Sequence, residues 1–128
     1  MPSPDLYSDP KFNVPIELGM GRLTHSQAAG IVTCWRPFSK TKLNAVVVDV
    51  VVVGTGAGGF NIYKNGGSIG QVLTTNSAAG YRGTFVPATG TGTATSSIYD
   101  TTDTLELRNI TSDTQHVTNV HINYQNQY

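Results

Sequence analysis

The chain has 128 residues, eight basic and eight acidic, with 12% charged and 38% hydrophobic residues. Balanced charge excludes the cation surplus with which proteins hold nucleic acid or an anionic membrane surface, and the hydrophobic share excludes wholesale disorder. A single cysteine, Cys34, excludes an intrachain disulfide.

The length suits one domain with a modest core. Glycine, threonine, valine and asparagine are abundant, whereas Glu, Lys and Leu are scarce, which favours strands joined by turns. Met1-Pro2-Ser3-Pro4-Asp5 has neither the basic nor the apolar region of a secretory signal, so synthesis in a cytoplasm is expected. The longest apolar run, Ala45 to Val53, is broken by Asp49 and is far short of the ~20 residues of a membrane-spanning helix.

Residues 1–25 read as an extended N-terminal arm ahead of a β domain at 26–128. Four of the six prolines lie there, at 2, 4, 10 and 15, and proline lacks the N–H that regular pairing needs. Leu6, Tyr7, Phe12 and Ile16 sit between or beside them. A merely disordered tail carries fewer large apolar groups. The arm therefore needs a surface, either a partner's or that of its own domain.

From Ala28 the pattern turns to strands. Ala28 to Arg36 is β-prone and stops at Pro37. Leu43 to Val53 is the strongest strand. Val46, Val48, Val50 and Val52 make one inner face, and Asp49 interrupts the other. A strand this apolar belongs in the centre of a sheet, because exposed it would template aggregation. Gly59 to Lys64 and Ser68 to Thr74 flank Asn65-Gly66, the pair that a type I′ hairpin turn demands. Phe60, Ile62 and Ile69 are expected to point inward. Tyr81 to Val86 is a further short strand, and Thr89 to Ser97 is a loop or an exposed edge. Leu105 and Leu107 alternate with Glu106 and Arg108. Val120, Ile122 and Tyr124 alternate with Asn119, His121 and Asn123. About seven or eight strands at such spacing predict an all-β, jelly-roll-like antiparallel β-sandwich.

Gly54-Thr55-Gly56-Ala57-Gly58-Gly59 comes after a valine strand and spells G-x-G-x-x-G, a dinucleotide-binding pattern. Three counts exclude that use. Strand-like Phe60-Asn61-Ile62-Tyr63 stands where a helix N-terminus must hold the pyrophosphate. No Asp or Glu lies between Asp49 and Asp100 to hold the ribose. No strand–helix crossovers are visible. The glycines are read as a loose loop in which no side chain need be placed.

Other chemistry is equally unsupported, and catalytic, cofactor and metal residues are all expected to be absent. His116 and His121 are five apart on a predicted strand and face opposite ways. Asp100, Asp103 and Glu106 lack the alternation of a calcium loop and read as turn and strand-end carboxylates. Cys34 beside Trp35 reads as a small buried hydrophobe. Asp49 is expected to pair with Arg36, Arg82 or Arg108, or to lie at a subunit contact. Trp35, Tyr63, Tyr81 and Tyr99 are available as sugar-binding aromatics or as packing residues.

The cadence of the second half carries a resemblance. "FNIYKNGGSIG" (60–70), "SIYDTTDTLELRNIT" (97–111) and "HVTNVHINYQ" (116–125) resemble the small jelly-roll domains of phage virion proteins and, more loosely, the trimeric complement/tumour-necrosis-factor type. Lys64-Asn65-Gly66 matches their hairpin and Asp103-Thr104-Leu105-Glu106-Leu107 their D-x-L-x-L strand; Thr102 stands where glycine often precedes the aspartate. The resemblance implies a capsid decoration or cement subunit on the capsid surface. It would be a homotrimer, bound to the major capsid protein, and not an enzyme. The arm residues Leu6, Tyr7, Phe12 and Ile16 are the expected partner contacts. The alternatives are a fibre receptor-binding head, or a carbohydrate-binding module with a glycan ligand.

Overall fold

The computed structural model describes residues 15–25, 30–55, 58–74, 78–88, 97–110 and 113–126. Among them are nine strands and no helix: β1 Ile16–His25, β2 Ile31–Trp35, β3 Thr41–Val52, β4 Gly59–Lys64, β5 Gly67–Leu73, β6 Arg82–Phe85, β7 Ile98–Tyr99, β8 Leu105–Asn109 and β9 Asp113–Asn126. They form two antiparallel sheets packed as a β-sandwich. One has the order β1-β9-β3-β6, with β7 also on β3; the other has β2-β8-β4-β5. The pairs nest: β1 with β9, β2 with β8, β3 with β6 and β7, β4 with β5.

The sandwich begins earlier than proline content suggests. That content assigns residues 16–25 to the arm, yet they form β1, paired with β9 from Ile16↔Tyr124 to His25↔Asp113. The prolines stop at Pro15, so every N–H needed for pairing is present from Ile16 onward.

β3 is central, as its apolar run requires, with β9 on one side and β6 and β7 on the other. Val46 and Val48 are fully buried and Val50 nearly so, but Val52 is half exposed. A register shift between Val50 and Val52 ends the inner face there. The facing sheet supplies Phe60, Ile62, Leu105 and Leu107, all fully buried. Val120 and Ile122 complete the layer from β9, with Ile69 and Tyr124 packed at its margin. Burying side chains of this size stabilises the fold by about 1.5–3 kcal/mol each.

Two sequence motifs meet here. Asn65 and Gly66 both take positive φ, 53° and 83°, as the type I′ turn requires. The Asn65 side chain then reaches the turn before β8. Its amide donates to Asp103 Oδ1 at 2.8 Å, and its carbonyl accepts from the Thr104 N–H at 2.8 Å. Asp103 Oδ2 accepts the Asp100 N–H at 2.8 Å. The Lys-Asn-Gly hairpin and the D-x-L-x-L strand are thus two halves of one interlock. Asn65→Ala loses both bonds and strains the backbone, so urea unfolding should show a loss of about 2 kcal/mol. Asn65→Gly relieves the strain and should cost less; equal losses would show that the side-chain bonds alone matter.

Candidate functional site

Of the four expected contact residues, Leu6, Tyr7 and Phe12 lie outside the described residues. Ile16 opens β1. Ile16 is 41% exposed and Leu18 40%. Their backbone partners are Tyr124 and Ile122, so they lie on the inward side of the sheet. They stay wet because β1 is the outermost strand. The result is a short apolar strip at a sheet edge.

The outer face of the same sheet is polar. Asp49 on β3 pairs with Arg82 on β6 through two bonds of 2.6 and 3.0 Å, which places it on one of the three arginines expected. That hydrogen-bonded guanidinium holds the Asp49 carboxyl below its ordinary range. His121 lies beyond, with Nε2 3.8 Å from Asp49 and Nδ1 3.6 Å from Glu17. Both separations exceed a hydrogen bond, so these groups are electrostatic neighbours without a shared proton. Asn44 donates to Asn123 at 2.9 Å beside them. A shallow hollow of 190 Å³ lies against Gly19, Gly21, Asn119 and His121, where a bulge between Gly19 and Gly21 bends β1 away. This row presents compensated charges and no aligned nucleophile and base.

The third cluster is buried at the far end of the sandwich. His25 pairs with Asp113 beyond a register shift that follows Thr24, and His116 lies in edge contact with His25, ring centres 4.7 Å apart. All three are at most 8% exposed. The Gly54 N–H donates to His116 Nδ1 at 3.1 Å. Nδ1 is therefore the acceptor, and Nε2 carries the proton that it donates to Thr74 Oγ1 at 2.8 Å. His25 Nε2 lies 3.2 Å from Thr118 Oγ1. Burial lowers the pKa of both imidazoles, that of His25 to about 4, where the neighbouring His116 adds to the effect and Asp113 opposes it. Both rings are neutral at pH 7.

This cluster corrects the reading of the glycine run. A Cβ on Gly54 would collide with the Asp113 carboxyl. One on Gly58 would stand 2.6 Å from His116 Nε2 and 2.7 Å from Thr74 Oγ1. Gly59 has φ +125°, and its Cβ would strike the Val72 carbonyl oxygen. These glycines are packed to the limit. Gly54, Gly58 and Gly59 are therefore not a slack linker, and Gly59 opens the strand β4. Spacing alone does not reveal the cluster, because His25 and His116 lie on the first and last strands. The signal within the sequence is a histidine at an inward position of β9, next to Thr118 and Val120.

The remaining candidates separate. His116 faces inward and His121 outward, as their spacing requires. Cys34 is exposed, not buried. It pairs with Glu106, the outward residue of β8, while Trp35 takes the inward place opposite Leu105. Trp35 and Tyr99 are core residues, with ring centres 5.7 Å apart. Arg108 covers the Tyr63 ring at 3.9 Å. Of the four aromatics considered for sugar, Tyr81 alone is exposed, at 46%. Both Asp103 oxygens are occupied by N–H donors. Among the described residues no three His, Cys, Asp or Glu side chains are grouped to hold a metal ion.

No family model, no curated protein and no solved structure matches the chain.

Proposed function

We propose that the protein is a structural virion subunit of the decoration or cement type. In this reading it is a jelly-roll sandwich that binds the assembled capsid by protein–protein contact and stabilises it without catalysis. The nested strand pairs support the jelly-roll assignment. The observation that carries the function is the edge strand β1, with Ile16 and Leu18 exposed directly after an arm containing Leu6, Tyr7 and Phe12. An apolar segment joined to a strand that is outermost among the described residues adds area and backbone bonds to a partner. The proposed partner is the major capsid protein, and the proposed assembly is a homotrimer.

The test uses assembled capsids of the virus that encodes the chain, sedimented with the full-length protein and with a variant lacking residues 1–14. Because β1 starts at Ile16, this deletion spares the sheet, and its melting temperature should match that of the full chain. Capsid affinity should fall more than about tenfold. Failure of the full chain to bind would sink the reading. Light scattering should give three times 13.6 kDa; a monomer would remove the preformed trimer. Exposed Tyr81 favours, as second reading, a fibre head that binds host glycan; its binding to host cells would survive the deletion.

A further inference from the structure

Phe38, in the loop between β2 and β3, is the most exposed large apolar side chain among the described residues, with nothing covering it. Its neighbours are fixed. Pro37 is buried. On one side the Arg36 guanidinium donates to the Thr101 carbonyl at 2.8 Å; on the other the Ser39 hydroxyl donates to Asn126 Oδ1 at 3.2 Å. The ring therefore projects from an anchored loop, so little ordering remains to be done when a partner covers it.

The surroundings are cationic. Arg36, Lys40, Lys42 and Lys64 lie at this end of the sandwich, four of the eight basic residues in a neutral chain, with Asp100, Asp103 and Glu17 as the acidic residues there among those described. Lys64 is turned inward, its ammonium donating to the Ile98 carbonyl at 2.6 Å, and Asp103 is occupied by Asn65. Arg36, Lys40 and Lys42 remain, with Asp100 and Glu17 as the acidic residues at this end among those described. β1 enters the sheet here too, since Ile16 and Thr41 pair with Tyr124 and Asn126 at the end of β9.

We infer that this end of the sandwich is a protein-docking surface in which Phe38 is the anchor, and that its partner offers an apolar pocket with an acidic rim. The inference rests on the capsid reading and assigns that pocket to the capsid protein. One ring and three cations suit a pocket better than a bilayer, where stable anchoring needs two strong signals.

Phe38→Ala and Lys40→Glu are compared with the full chain in capsid sedimentation at low and high salt. Neither residue supports the fold, so melting temperatures should be unchanged. Phe38→Ala should weaken capsid binding at least ~30-fold. Lys40→Glu should weaken it several-fold at low salt and flatten its salt dependence. Wild-type affinity in Phe38→Ala overturns the inference and leaves the capsid reading standing; absence of binding by the full chain overturns both. Vesicles of mixed phosphatidylcholine and phosphatidylglycerol provide the other control. If Phe38→Ala abolishes vesicle binding and keeps capsid affinity, the ring is a lipid anchor and the protein pocket is overturned.

Discussion

Gly59→Ala should destabilise the protein by about 3 kcal/mol or more, a large share of the stability of a domain this size. Two effects add. The backbone at Gly59 has φ +125°, a region that costs a residue with a Cβ about 1–3 kcal/mol. The new methyl also meets the Val72 carbonyl oxygen on the adjacent strand, and main chain cannot swing aside as a side-chain tip does. The control is Gly19→Ala, where nothing lies within 4 Å of the added Cβ and φ is not in the forbidden range. That change should alter stability by less than about 0.5 kcal/mol. Chemical unfolding of both variants decides the matter. Equal, small losses would mean that the glycine run is slack after all.

Acid should destabilise the fold through the buried histidine pair. An unfolded histidine titrates near 6.5, whereas His25 in the folded protein is lowered to about 4 by burial and by His116 beside it. Between these values the unfolded chain takes up a proton that the folded protein refuses. The stability contribution is therefore complete above pH 6.5, falls as pH drops toward 4, and levels off below that. A separation of this size corresponds to about 3 kcal/mol for His25 alone. His116 is shifted in the same direction and steepens the loss. Thermal melts from pH 7.5 to 4 should show the decline, and His25→Gln, uncharged at every pH, should flatten it. An equally steep decline in His25→Gln would place the sensitivity in other groups. Opening would start where β1, β9 and the chain around Gly54 meet, since His25, His116 and the Gly54 N–H form that junction.

The sequence by itself determined the fold class and the inward faces of β8 and β9. Alternation with a period of two marked Leu105 and Leu107, and Val120 and Ile122, as core. Asn65-Gly66 fixed a turn because few residues other than asparagine and glycine tolerate both positive φ values. The valine run required a central strand, because no edge could carry it exposed. These are short-range constraints, written in neighbouring residues.

Only the tertiary structure decided the rest. Cys34 and Trp35 are adjacent in a β-prone run, and which of them faces inward depends on the register of β2 against β8. A shift of one residue would exchange them. β1 was hidden by the prolines that precede it and by its dependence on β9, a partner almost a full chain length away. His25, Asp113 and His116 become a cluster because the first and last strands pair. The glycine run reads as slack until those side chains are brought against it, since contacts between distant segments leave no local period in the sequence.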